Sequence, residues 1–321
     1  MPFVDDILGP RRPFVDGGPQ SLPGVRRRTS TIDTHPDGVR GSVADLRARD
    51  VVGAEDGRVE ILGEVRVRAH LTDQVVDDIT APAGLDALLG CRVGAGFRAT
   101  VSRLFPEEVV RASLLNLLLD DWVGAALVSG YAAQYAAIVE GVEEKMPLGI
   151  ADRMAGICAG FAPDASLIAF TRRHDVIPTG RGPVAPPLSG LHEVEPLRAR
   201  GMRRYRRLDL ADSDSGSARF HSHFRDSHVD DDLVETIVHE YTVAGTIDTS
   251  TRVITGVNAE VRVLPWQECP GAIGSASRIR GMTLAELRDR VRGEFVGTST
   301  CTHLNDTLRS IADLQALMDS R

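Results

Sequence analysis

Two stretches decide how this chain folds: residues 27–50, RRTSTIDTHPDGVRGSVADLRARD, and residues 203–226, RRYRRLDLADSDSGSARFHSHFRD. Asp33 and Asp209 stand 176 positions apart, and so do the dipeptides Arg49-Asp50 and Arg225-Asp226. The match continues downstream. Residues 59–73 (VEILGEVRVRAHLTD) lie beside residues 234–248 (VETIVHEYTVAGTID), with Glu64 on Glu240. LLGCRVGAGF, holding Cys91, lies beside WQECPGAIGS, holding Cys269, and residues 112–116 (ASLLN) beside residues 301–305 (CTHLN). Matches that keep their order are the mark of an internal repeat. We read residues 26–140 as a first copy and 200–321 as a second. An N-terminal extension, residues 1–25, precedes them, and a connector, residues 141–199, joins them through the Pro/Gly-rich segment IPTGRGPVAPPL at 177–188.

Each copy reads as strands followed by helices. Residues 59–73 and 234–248 are rich in β-branched residues with partial period-two alternation. Residues 251–264 give a further strand or two. Cys269-Pro270-Gly271 reads as a turn into a short helix of small residues at 272–280, and Thr283 to Glu286 as a capping box opening another helix. Leu304, Leu308, Ile311, Leu314 and Leu317 form one apolar stripe on a last helix starting near Thr302. This order predicts an α+β fold: two tandem copies related by a pseudo-twofold, with mainly antiparallel sheets and a cleft at the interface of the copies.

Composition narrows the function. With 42% hydrophobic and 26% charged residues the chain is an ordinary globular protein, and a net charge of −8 disfavours nucleic-acid binding. Lys145 is the only lysine, which nearly removes Schiff-base chemistry. The most apolar stretch, residues 112–139, is interrupted by Asn116, Asp120, Asp121 and Gln134, so it reads as a buried helix rather than a membrane span. No secretory signal opens the chain, so a cytoplasmic location with reduced thiols is expected for Cys91, Cys158, Cys269 and Cys301. Nucleotide-binding glycine loops, HExxH and GxSxG are missing from the sequence.

The two copies offer an internal control, since a structural position keeps its character in both and a functional one needs survive in only one. Copy one has Ala112, Ser113 and Leu114 where copy two has Cys301, Thr302 and His303. Ala44 to Arg47 correspond to Phe220, His221, Ser222 and His223, and His228 follows in copy two. Copy one therefore reads as a degenerate structural partner. Cys301 at a helix N-terminus, where the dipole favours thiolate, is the candidate nucleophile, and His303 the candidate base. Asp226 would orient a histidine, while Arg225, His221, His223, His228 and Asn305 would hold substrate. Alternatively Cys269, Cys301, His303, His221 and His223 would ligate zinc or iron. The blander readings are a buried cysteine beside a cap histidine, a polar solvated strand face for 220–228, and packing for Cys158 and Cys269. The arginine cluster from Arg198 to Arg207 reads as a solvated strand face or a phosphate anchor.

FHSHFRDSHVDDD, HEYTVAGTID, VLPWQECPGAIGSASRIRGM and FVGTSTCTHLNDTLRSIADL resemble the bacterial family catalogued as domain of unknown function 2889, and RRTSTIDTHPDG and DLRARD resemble its longer actinobacterial members. The resemblance spans about residues 25–317. A more distant similarity is to U-type iron–sulfur scaffold proteins, in which Cys269 and Cys301 would occupy two cluster-binding positions and no cysteine the third. The expected function is an enzyme of small-molecule acyl metabolism: a hydrolase or C–C lyase acting on a thioester, ester or β-dicarbonyl compound, with no cofactor favoured. Its expected partner is a small molecule, among them a CoA thioester or an aromatic acyl compound, with no nucleic acid or membrane; a homo-oligomer is left open. The alternatives are a metal-binding or iron–sulfur accessory protein and a non-catalytic binding module.

Overall fold

The computed structural model describes residues 6–15, 23–82, 84–142, 147–189, 192, 194–213 and 216–320. Four strands open the first half: β1 (Arg26–Asp37), β2 (Gly41–Gly53), β3 (Val59–Thr72) and β4 (Val75–Thr80). Helices α1 (Phe97–Leu104), α2 (Pro106–Val110) and α3 (Leu114–Val139) follow. The connector carries α4 (Ile150–Met154) and α5 (Ser166–His174). The second half carries β5 (Met202–Ser213), β6 (Ser217–Val229), β7 (Glu235–Asp248) and β8 (Ile254–Val263). A 3-10 stretch (Cys269–Ile279), α6 (Leu284–Glu294), α7 (Thr302–Ser310) and α8 (Leu314–Asp319) complete it.

The α+β class is as expected, but the strands form one antiparallel sheet of eight, ordered β4-β3-β2-β1-β5-β6-β7-β8. β1 and β5 join the halves in the register Arg27↔Asp209 and Asp33↔Arg203. Both pairs are two-pronged ion pairs: Arg27 reaches Asp209 at 2.6 and 3.0 Å, and Arg203 reaches Asp33 at 2.7 and 2.8 Å. The β2–β3 and β6–β7 ladders each shift register at one place, after Asp50 and after Asp226.

Side chains alternate between the two faces of a strand. On one face two apolar clusters lie under helices. Ile32, Leu46, Val67 and Leu71 pack with Phe97, Leu118 and Trp122, while Leu208, Phe224, Tyr241 and Val243 pack with Leu287, Leu304, Leu308 and Leu314. The capping box forms at Thr283 and Glu286, and the stripe from Leu304 to Leu317 is wholly buried. α3, read from the sequence as a buried helix, rests on β1, β2 and β5 and buries 13 of its 26 residues. By length and composition it also meets the measure of a membrane span, with a third of its most apolar window buried.

Between the clusters runs a buried charged layer. Arg204 pairs with Asp226 and Asp306, Arg206 with Asp121, Arg28 with Asp50, and Arg309 with Asp120 and Asp306. Arg203, Arg204, Arg206 and Arg207 are all buried, which corrects the reading of a solvated face for these four, while Arg198 and Arg200 of the same cluster are exposed. It is not a phosphate anchor either, because carboxylates already fill the guanidinium forks of Arg203, Arg204 and Arg206. Such pairs add little net stability, because desolvation offsets attraction, but a missing partner is costly.

Candidate active site

The site is built where α7 meets β7. Cys301 is the N-cap of α7 in extended conformation (φ −131°, ψ 131°) and makes no side-chain cap. Its backbone carbonyl accepts from the Asn305 N–H, and the Asn305 amide donates to Phe295 O at 2.8 Å, which fixes the entry to the helix. The Tyr241 hydroxyl donates to Cys301 Sγ at 3.4 Å. In the first turn of the helix, His303 stacks on His239 of β7, with ring centroids 3.6 Å apart and planes 17° from parallel. His239 stands opposite Asp226 in the β6–β7 register. Its Nδ1 lies 3.4 Å from Asp226 Oδ2, within ion-pair reach but without hydrogen-bond alignment. Potential ligand atoms of Asp226, His239 and His303 all fall within 4.8 Å of one another. Both His239 Nδ1 and His303 Nε2 are buried and lack a hydrogen-bond partner among the described residues.

Asp226 is fully buried and gripped by Arg204 at 2.8 and 2.9 Å. Burial opposes its charge, but Arg204 and His239 outweigh that and bring its pKa down to about 2. Burial, reinforced by the neighbouring His239, holds His303 well below the ordinary histidine value, so its imidazole is neutral at pH 7. Burial pushes the Cys301 thiol up despite the hydrogen bond from Tyr241. The expectation of a dipole-stabilised thiolate is therefore corrected: desolvation outweighs the helix N-terminus here.

Cys301, His239 and His303 open onto a cavity of about 410 Å³ between α3, the connector and the second half. Leu127, Val128, Ile157, Phe161, Ile177 and Leu264 give it an apolar wall. Cys158, Cys269 and Cys301 all line it, together with His239 and His303. Burial raises Cys158 to about 11 and Cys269 above the usual thiol range. A Cβ on Gly160 would lie 2.7 Å from Cys269 Sγ, so the wall is tight there. A smaller cavity of about 210 Å³ shares Gln74, Leu127, Thr302 and His303 with it.

The structure thus brings together Cys301, His303 and Asp226. It separates the rest. His221, His223 and Arg225 lie on the opposite face of the sheet, because they alternate with Asp226 along β6. There His223 and Arg225 bond Glu240 at 2.8 and 2.7 Å, and the Phe14 ring covers both His221 and His223. They cannot meet a substrate at Cys301, nor complete a metal shell with Cys269, Cys301 and His303. His228 faces the helices but is wedged against Tyr131 and Tyr135, and Asn305 braces the loop before α7. Both are structural. The residue missed in the sequence is His239. Its register partner is Asp226, just as Gly63 partners Asp50 in the first half, and a Cβ on Gly63 would lie 3.7 Å from Leu114. The same copy-against-copy comparison that singled out His303 over Leu114 would have found His239 over Gly63.

No curated protein and no solved structure matches the chain. Residues 202–317 match a family model described as Protein of unknown function (DUF2889), from the first residue of β5 into α8. The matched stretch, about a third of the chain, holds Asp226, His239, Cys301 and His303.

Proposed function

We propose that the protein is an enzyme of small-molecule acyl metabolism, a hydrolase or C–C lyase whose base is the His303–His239 pair backed by Asp226. The observation that carries this reading is the stacked imidazole pair at an apolar cavity, with His303 Nε2 buried and without a hydrogen-bond partner among the described residues and His239 Nδ1 3.4 Å from the ionised Asp226. A neutral imidazole there takes a proton from water attacking an ester or thioester carbonyl, or from water attacking a β-dicarbonyl compound before its C–C bond breaks. The positive charge that appears on the pair is offset by Asp226, which Arg204 keeps ionised. Cys301 stands beside the site as a neutral thiol and becomes a nucleophile only when a base removes its proton.

The halves fit a duplicated unit of which only the second kept the site. Three observations support this: the mirrored strand order about β1 and β5, the reciprocal pairs Arg27–Asp209 and Arg203–Asp33, and the matching register shifts after Asp50 and Asp226. The test of the enzymatic reading is turnover of aryl thioesters, esters and β-diketones by folded His303→Ala and Asp226→Asn variants. A loss of about 100-fold or more in each is expected. Full turnover in both would overturn it.

A second reading is favoured by the clustering of Asp226, His239 and His303: two imidazoles and a carboxylate are a known set for a non-haem iron or zinc ion. Imidazole lone pairs lie in the ring plane, so near-parallel rings 3.6 Å apart do not aim at one ion, and binding requires one ring to turn. In the accessory-protein form of this reading Cys269 and Cys301 act with Cys158, their neighbour in the cavity wall. Elemental analysis decides. About one zinc or iron per chain, lost in Asp226→Asn, would replace proton transfer by metal-assisted chemistry.

A further inference from the structure

We infer that the ligand of this cavity is an uncharged, ring-sized apolar compound with a single carbonyl or hydroxyl head, which sits at His303. The inference rests on the cavity being the active site and adds the substrate's chemical class. Among the described residues that line the larger cavity none is an arginine, lysine, aspartate or glutamate. Its polar groups are imidazoles, a tyrosine, thiols, hydroxyls and two glutamine amides. The smaller cavity does contain Arg98 and Asp306, but these face each other at 3.3 Å, and Arg98 also binds Asp120. Asp306 is taken up further by Arg204 and Arg309. Among the described residues no cation along either cavity is free to neutralise a carboxylate or phosphate, and a buried charge without a partner is strongly disfavoured.

Size and surface fit the same class. A dry apolar cavity of about 150 Å³ is enough for benzene. The larger space here, about 410 Å³, takes a substituted ring with room to spare. Sulfur packs well against aromatic rings, and three thiols line the wall with Phe161 and Tyr131. His303 borders both cavities, so a head group placed there has the ring on one side and a short substituent on the other. The phosphates of a CoA thioester find no seat within either cavity. An acyl thioester would therefore have to keep its nucleotide outside, and a free aromatic ketone or ester fits better.

The test is calorimetric titration of the full chain at pH 7 with two probes of one shape, 4-methylacetophenone (neutral) and 4-methylbenzoate (anionic). The neutral ketone should bind one per chain, and the anion about tenfold more weakly or less, a difference near 1.4 kcal/mol. Leu127 borders both cavities yet is 63% exposed, so Leu127→Trp should fold and abolish ketone binding. Equal or tighter binding of 4-methylbenzoate would overturn the inference, as would no binding of the ketone or ketone binding untouched by Leu127→Trp. Neither probe is turned over, so a catalytic failure of His303 is read separately by the activity assay.

Discussion

Gly124 of α3 makes room for Arg204 of β5: a Cβ at residue 124 would lie 1.8 Å from Arg204 Nη1 and 2.7 Å from Asp306 Oδ2. The long helix can lie on the sheet only because this one residue lets a guanidinium pass between Asp226 and Asp306. The site therefore depends on a glycine with no chemistry of its own.

Gly124→Ala is expected to displace Arg204 and cost about 3–5 kcal/mol, the range for breaking a buried ion pair by disturbing one partner. Arg204→Met should cost a similar amount, because it leaves Asp226 and Asp306 buried without their shared cation. Gly130, on the same helix, has nothing within 4 Å of its Cβ position. Gly130→Ala should be neutral or gain up to about 1 kcal/mol from helix propensity alone. Urea unfolding of the three variants checks this, and equal effects of Gly124→Ala and Gly130→Ala would refute it.

The junction of the halves predicts a symmetry of energies. Arg27–Asp209 and Arg203–Asp33 are reciprocal two-pronged pairs at the two ends of the β1–β5 ladder. Arg27→Ala and Arg203→Ala should therefore destabilise by similar amounts, about 2–4 kcal/mol each, since both arginines are buried. Arg27 and Asp33 stand six positions apart along β1, which places the pairs about 20 Å apart. Their effects should then add in the double variant within about 0.5 kcal/mol. A large difference between the single variants, or strong coupling, would show that the two pairs are not equivalent.

Much of this architecture was legible because helices and outer strands carry ordinary signals. The capping box at Thr283, the stripe from Leu304 to Leu317 and the partial alternation in β3 all lie where periodicity places them, and β7 is a strand as expected but is buried on both faces along most of its length. The inner strands β1, β2, β5 and β6 were visible only through the similarity of residues 27–50 to 203–226. Their arginines, aspartates and histidines look solvent-facing, yet Arg27, Arg28, Asp33, Arg203, Arg204, Arg206, Arg225 and Asp226 are buried, and some pair with residues far off in sequence, such as Arg206 with Asp121. No local pattern reports that. The site was half legible for the same reason. Cys301 and His303 betray themselves beside Ala112 and Leu114. The grouping of His221, His223 and Arg225 with Asp226 failed because one strand carries them to opposite faces.

Cys301 should behave as a slow thiol. It is 4% exposed, receives the Tyr241 hydroxyl, and is raised by burial. Cys91 is half-exposed, outside the cavity and weakly bonded to Ala87 O at 3.9 Å. With limiting iodoacetamide at pH 7, mass spectrometry should find Cys91 alkylated first and Cys158, Cys269 and Cys301 largely protected. Rapid labelling of Cys301 at pH 7 would mean that a base already holds its proton and would restore it as the nucleophile.

Acid should weaken the fold through its buried neutral histidines, and His228 isolates the effect. Burial, only slightly countered by Asp230, lowers its pKa from the usual 6.5 to about 4. Between these values the unfolded chain binds a proton that the folded chain refuses. The stabilisation is thus complete above pH 6.5 and is lost as pH falls toward 4. A shift of this size corresponds to about 3 kcal/mol. His228→Phe keeps a ring between Tyr131 and Tyr135, at the cost of a 3.4 Å contact with Thr236, and removes the titration. Denaturant unfolding at pH 7 and pH 4.5 should show the variant losing less stability on acidification than the native chain, by about 2 to 3 kcal/mol. His223, also lowered to about 4, continues to titrate in the variant, so the acid sensitivity should shrink rather than vanish. An unchanged difference between the two pH values would place the protonation of His228 in the folded state and contradict its burial between the tyrosines.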